Sequence, residues 1–371
     1  MKILIVVTMT NNFGKKGSYN SQEIGLARGL AELGHEVIVY KSVKSVKSDE
    51  EVGTEQLSNT AMIHYIKCRY VGSNGFLSTK NFDKNADVLI QFADLQLSVP
   101  HVYSWTVKNG IKYIPYNGIT RSQSGNKYIK TIIEILAHRN YKIYKKNGCV
   151  AKNDRVSEKL VQLGVNKVKL APVCVDFEQL HKNYEAIDFT TLREKWNIPR
   201  NVRVILYVGR FEKDKRPLDM ISLFNKLDEH NYLLMVGTGA LLEQTKQQIN
   251  LLGLQNRVKI IERIPNKDIW ELYCLSDVFV NLNYTEIWGM VLLEAMYYRL
   301  GIIAVNAPGP QNIILDNRYG MLAKSDDEIL TFLKDGRFTN DIIDAAYQRV
   351  TTEFRWSKSG EIMLSMLEGD K

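Results

Sequence analysis

The chain has 371 residues, of which 45% are hydrophobic and 24% charged, with four cysteines and a formal net charge of +8. That balance excludes an extended disordered chain, and the length predicts two domains of ordinary size. Cys68, Cys149, Cys174 and Cys274 lie too far apart for zinc or redox pairs and read as small buried hydrophobes in a reducing cytoplasm; the excess of cations favours anionic partners such as nucleotide phosphates or acidic lipid, whereas nucleic acid has only net charge in its favour.

The N-terminus is too short and too soon polar for a signal peptide and reads as a first β-strand over 2–7. No run approaches the roughly 18 apolar residues of a membrane span, so the expected location is the cytoplasm or the inner face of the plasma membrane. Further strands are predicted over 36–40, 63–65, 88–92, 113–116 and 149–151. Residues 22–34 place apolar side chains at 24, 26, 27, 30, 31 and 33, a helix with one buried stripe, and Gly34 is a natural terminator. Residues 127–146 interleave Lys127, Lys130, His138, Arg139, Lys142, Lys145 and Lys146 with Tyr and Ile. This long basic amphipathic helix suits either an anionic lipid surface or packing on the N-terminal core.

A polar stretch, 176–201, is the expected interdomain connection, giving domains over 1–175 and 176–354, with a final helix over 355–371 able to return to the first. Beyond it, strands are predicted over 203–208, 232–236, 258–261, 278–281, 301–305 and 321–322. Helices are predicted over 218–227, 241–252, 266–275 and 290–299. Strands alternating with helices predict an α/β fold of parallel sheets.

The most informative stretch is Asn283-Tyr284-Thr285-Glu286-Ile287-Trp288-Gly289-Met290-Val291-Leu292-Leu293-Glu294. A strand leads in, Gly289 permits close backbone approach, and the helix that follows aims free N–H groups at an anion. Glu286 and Glu294 would serve a sugar and a ribose on either side of a diphosphate.

Several motifs in register resemble the family 4 glycosyltransferases, nucleotide-sugar enzymes of GT-B type. They are Val208-Gly209-Arg210 followed by Lys215, Val236-Gly237-Thr238-Gly239, Leu252-Gly253-Leu254, Gly34-His35-Glu36-Val37 and the Glu286/Glu294 pair. The resemblance implies two facing Rossmann-like domains with a cleft between them and transfer with retention at the anomeric carbon. It implies no obligatory metal and no cofactor beyond a nucleoside-diphosphate sugar, UDP-linked by preference; the sequence has no Asp-x-Asp motif.

By that resemblance Arg210 and Lys215 neutralise the leaving diphosphate, Glu286 serves the transferred sugar and Glu294 the ribose. Gly209, Thr238, Gly239 and the backbone of Ile287, Trp288, Gly289, Met290 and Val291 line the donor, and Arg263 and Ile264 flank the base. Gly17 stands in for the family's glycine-rich loop. Asn117 occupies a place where many relatives carry a histidine, and is the candidate for the acceptor; His101 and His138 read as structural or surface residues. Plainer readings stand beside these: a solvated basic turn for Arg210 and Lys215, surface charges for the glutamates, core packing for Trp288, a surface loop for Gly17. The implied function is hexosyl transfer to a glycan acceptor, lipid-linked in surface polysaccharide synthesis. A GT-B nucleotide-sugar epimerase and a non-catalytic nucleotide-sugar-binding subunit are the alternatives; the absence of G-x-G-x-x-G after the first strand argues against a nicotinamide enzyme.

Overall fold

Short, mostly apolar strands such as β1 (Lys2–Val7) are buried on both faces and need helices on either side, and the chain builds two sheets around such central strands. The computed structural model describes residues 1–9, 21–44, 51–122, 126–180, 187–335 and 338–368. It divides into one unit made of Met1–Asp176 together with the segment from Phe354 onward, and a second made of Phe177–Glu353.

In the first unit the elements run β1 (Lys2–Val7), α1 (Gln22–Glu32), β2 (Glu36–Lys44), β3 (Glu51–Ser58), β4 (Ala61–Val71), β5 (Asn74–Phe76), β6 (Val88–Phe92), α2 (Val99–Asn109), β7 (Lys112–Asn117), α3 (Lys127–Asn147), β8 (Cys149–Ala151), α4 (Asp154–Gln162) and β9 (Val168–Leu170). The sheet order is β3-β4-β2-β1-β6-β7-β8-β9, with β5 beside β4. The wholly parallel expectation needs one correction, because β3 and β5 pair antiparallel to β4. β3 escapes periodicity analysis because it is a polar edge strand with only Val52 and Leu57 as large apolar residues.

Helix α1 ends as the sequence suggests. Gly34 takes φ +82°, Gly34 N–H donates to Ala31 O and His35 N–H to Leu30 O, the paired bonds of a Schellman stop.

The second unit runs α5 (Phe189–Lys195), β10 (Arg203–Val208), α6 (Pro217–Phe224), β11 (Asn231–Val236), α7 (Leu242–Leu251), β12 (Val258–Ile261), α8 (Trp270–Cys274), β13 (Val278–Asn281), α9 (Met290–Tyr297), β14 (Gly301–Val305), α10 (Pro308–Ile314), β15 (Met321–Ala323), α11 (Asp326–Asp335) and α12 (Asn340–Glu353). All six strands are parallel in the order β12-β11-β10-β13-β14-β15. Counted from the first strand of the unit this is the doubly wound order, and its direction reverses between β10 and β13. Ile205, Tyr207, Met220, Phe224, Met235 and Val280 join one core beneath that point. The expected connection over 176–201 is in part folded structure. Within it α5 and the residue after it reach Glu271: Lys195 Nζ and Trp196 Nε1 both donate to its carboxylate at 2.6 Å.

The chain then returns to the first unit as α13 (Trp356–Leu364). Trp356 and Ser357 lie so close to α1 that a Cβ on Gly29 would stand 2.4 Å from the Trp356 carbonyl carbon. Ser359 Oγ donates to Pro172 O at 2.9 Å, and Lys169 Nζ donates to Ser365 Oγ at 2.6 Å.

Candidate functional site

In an open parallel sheet, ligands bind beyond the carboxyl ends of the strands where the order reverses. In the second unit that place lies past Val208 and Asn281. The β10 turn is held by main-chain bonds, Gly209 N–H to Val236 O at 3.0 Å and Phe211 N–H to Thr238 O at 3.0 Å. The turns after β10 and β11 therefore touch, and Gly237 makes that contact possible. Its φ is +144°, and a Cβ there would stand 1.9 Å from Gly209 O.

Lys215 is fixed from behind. Tyr207, a phenol whose pKa is pushed up by burial and which therefore acts as a neutral donor, gives its hydroxyl proton to Lys215 O at 3.0 Å. The ammonium meets Glu286 Oε2 at 2.6 Å, with side-chain exposures of 23% and 15%. Glu286 Oε2 also accepts from Asn283 Nδ2 at 3.2 Å and Asn281 Nδ2 at 3.5 Å. Asn283 in turn accepts from Thr285 N–H and Oγ1 at 3.0 and 2.8 Å, which sets the turn that carries the carboxylate.

The basic turn sorts into different roles. Arg216, in a left-handed conformation, is bound to Asp219 at 2.7 Å and Asp326 at 2.6 Å. Arg210 is 69% exposed with its acid, Asp214, at 3.9 Å. Arg216 therefore holds the fold, while Arg210 is available to an incoming anion.

Gly289, at φ +100°, caps α9. Met290 and Val291 are first-turn residues, whose N–H groups have no acceptor inside a helix, and the helix end adds partial positive charge. Glu294 lies one turn further, 7% exposed, and accepts from the buried Tyr273 hydroxyl at 2.8 Å. The loop before the helix is tied down by Gly309 N–H donating to Glu286 O at 2.8 Å. Ile287 is exposed and Trp288 half-buried on this loop.

Of the predicted donor residues, Gly209, Arg210, Lys215, Glu286, Ile287, Trp288, Gly289, Met290, Val291 and Glu294 thus gather about the β10 and β13 ends and the start of α9. Thr238 and Gly239 follow β11, next to Phe211, and Arg263 and Ile264 follow β12, with Arg263 exposed. Gly17 lies outside the described residues. Asn117 belongs to the first unit, is 1% exposed, and its Oδ1 accepts from Ile119 N–H at 3.4 Å; as placed, it faces its own loop. Beside it, Lys152 Nζ meets Asp94 Oδ2 at 2.6 Å, and the same ammonium sits 4.8 Å from the Phe92 and Tyr116 ring centroids. Among the described residues no cluster of three or more His, Cys, Asp or Glu could hold a metal ion.

Sequence reasoning missed Asn281, Asn283 and Tyr273. The asparagines carried a signal, two amides ending an apolar strand just before a carboxylate. Tyr273 carried none, being 21 residues from the group it holds.

Residues 188–349 match the family described as "Glycosyl transferases group 1". The chain is 27% identical over 179 residues to N-acetyl-alpha-D-glucosaminyl L-malate synthase of Bacillus anthracis, spanning 46% of each chain, a little under half that relative's length. It is 25% identical over 368 residues to a Campylobacter jejuni GalNAc-alpha-(1->4)-GalNAc-alpha-(1->3)-diNAcBac-PP-undecaprenol alpha-1,4-N-acetyl-D-galactosaminyltransferase, covering 94% of this chain and 93% of that one. In fold it is similar to the Anabaena protein Alr3699/HepE in complex with UDP, with a TM-score of 0.69 at 15% identity over 99% of both chains. The family match falls on the unit that carries the Lys215–Glu286 contact; the chain is similar to the Campylobacter glycosyltransferase over nearly its whole length and has the GT-B fold.

Proposed function

We propose that the chain transfers a hexose-type sugar, with retention, from a nucleoside-diphosphate donor to a glycan acceptor. A UDP-linked donor is favoured, and a lipid-linked acceptor used on the cytoplasmic side in surface polysaccharide assembly. The observation that carries the reading is the Lys215–Glu286 contact of 2.6 Å at the switch point. It puts an ammonium, a carboxylate and a helix N-terminus at one strand end, with Glu294 a turn behind. The fold shared with a UDP-bound protein and the lipid-linked glycan in the Campylobacter relative's name support donor and acceptor class.

In this reading Arg210, Lys215 and the α9 amides take up the charge that develops on the leaving diphosphate, which lowers the barrier itself. Glu286 holds hydroxyls of the transferred ring and faces the positive charge that builds there. Glu294 orients the ribose. The acceptor oxygen attacks from the face the diphosphate leaves, and a diphosphate oxygen takes its proton, so neither a protein nucleophile nor a metal is needed. The test is a panel of UDP- and GDP-linked sugars with membrane extract, the product linkage read by NMR. An α-linked product from an α-linked donor is expected; an inverted linkage, or sugar epimerised without transfer, would remove the proposal.

A further inference from the structure

The longest helix of the first unit is not wholly accounted for by the core. Helix α3 is anchored through its second half, where Ala137, Asn140, Tyr141 and Tyr144 are buried and the two tyrosine hydroxyls donate to Thr120 O and Ala93 O. Its first half leaves Tyr128 83%, Ile129 50%, Ile132 56%, Ile135 67% and Leu136 39% exposed. At about 100° per residue these five side chains share one stripe roughly 120° wide, turned away from the buried face. Arg139, Lys142 and Lys146 continue the same stripe towards the C-terminus, with His138 and Lys145 on its flank.

Five large apolar groups in nine residues are more than the scattered hydrophobes of an ordinary surface. Charge identifies what covers them. The helix carries six Lys and Arg against one acid, Glu134, so it holds five of the chain's net +8. Glu134 is already used, accepting from Ser122 N–H at 3.0 Å. A second copy of this chain would meet the stripe with the same positive charge. An anionic lipid surface answers both halves at once, taking the apolar residues at the acyl boundary and the cations among the headgroups. No helix of the described residues is long and apolar enough to cross a membrane.

We infer that the exposed stripe of α3 is a docking surface for an anionic bilayer, with Tyr128, Ile132 and Ile135 as the inserted contacts and Arg139, Lys142 and Lys146 as headgroup contacts. The inference does not rest on the sugar-transfer reading, because it concerns adsorption to lipid and is measured without donor.

The test is sedimentation of the full chain with vesicles of phosphatidylcholine alone or mixed with phosphatidylglycerol. Binding should be at least about tenfold tighter to the anionic vesicles and should weaken as salt screens the headgroups. Ile132→Glu with Ile135→Glu should weaken it by about tenfold or more. Lys142→Glu with Lys146→Glu should erase the anionic preference. Circular dichroism and the urea unfolding midpoint should not change in either variant. Ile135→Trp gives a signal that does not depend on a loss: the emission of the introduced indole, taken as the difference from the parent chain, should shift to the blue when anionic vesicles are added. Equal binding to both vesicle types, no binding, or an unshifted emission from the introduced indole would overturn the inference. So would a lipid-free self-association that the isoleucine pair breaks.

Discussion

Replacing Lys215 with Met keeps most of the side chain's length and removes only its charge. In the free protein this breaks a 2.6 Å contact whose two side chains are 23% and 15% exposed. Exposed pairs are worth about 0–1 kcal/mol and broken buried ones about 3–5. Glu286 keeps two amide donors at 3.2 and 3.5 Å, so a loss of about 1–2 kcal/mol in folding stability is expected, towards the low end of those ranges. The effect on reaction is a separate quantity. A hydrogen bond to a charged group contributes about 1.5–3 kcal/mol, or about 10–150-fold. If Lys215 meets charge that grows as the diphosphate leaves, the deficit appears in kcat as well as kcat/KM; if it only binds ground-state phosphate, KM alone rises. Steady-state transfer and urea unfolding of the same preparation separate the two. Unchanged kinetics beside a measurable stability loss would make the Lys215–Glu286 contact purely structural and refute the mechanism.

Arg210→Ala and Glu294→Ala should each reduce donor use by about 10–150-fold with folding retained, measured as kcat/KM over a donor titration. Gly237→Ala should destabilise the second unit by about 1–3 kcal/mol, seen as a lower urea midpoint, because the new Cβ meets a carbonyl oxygen in a conformation that suits glycine. All four cysteines are buried, and burial pushes the Cys149 thiol up and the Cys274 thiol up to about 12. Native protein at pH 8 should therefore resist iodoacetamide, while unfolded protein takes up four equivalents by mass. Since both folded pKa values named are raised, neither thiol supplies a thiolate to the native state near neutral pH. Treatment with EDTA should leave transfer intact, and a loss restored by magnesium would contradict the metal-free reading.

The sequence announced the central strands plainly because they are mostly apolar, with at most one polar residue each. Strands over 88–92, 203–208 and 278–281 coincide with those observed, since each is a compact run of residues buried on both faces through its middle. Elements stabilised by one face or by an edge were harder to read. β3 is polar, β5 and β9 have three residues each, and α4 hides its two buried side chains, Val156 and Leu160, in a run of charges. The turn bearing Glu286 could be inferred because strand, glycine and helix follow one another. The partners that orient the carboxylates, Lys215 for Glu286 and Tyr273 for Glu294, are brought in from 71 and 21 residues away by the fold alone. Of the two sequence readings of helix α3, packing on the core holds for its second half, while its first half leaves most of its apolar side chains exposed.

The return of Trp356 to α1 has a consequence during synthesis. The second unit is one contiguous stretch and can complete as soon as it leaves the ribosome. The first cannot, because the partner for Gly25 and Gly29 is translated only after residue 353. Until then the nascent N-terminal half carries an uncovered seam along α1, the kind of surface on which holding chaperones act. The domain made first is therefore the one finished last.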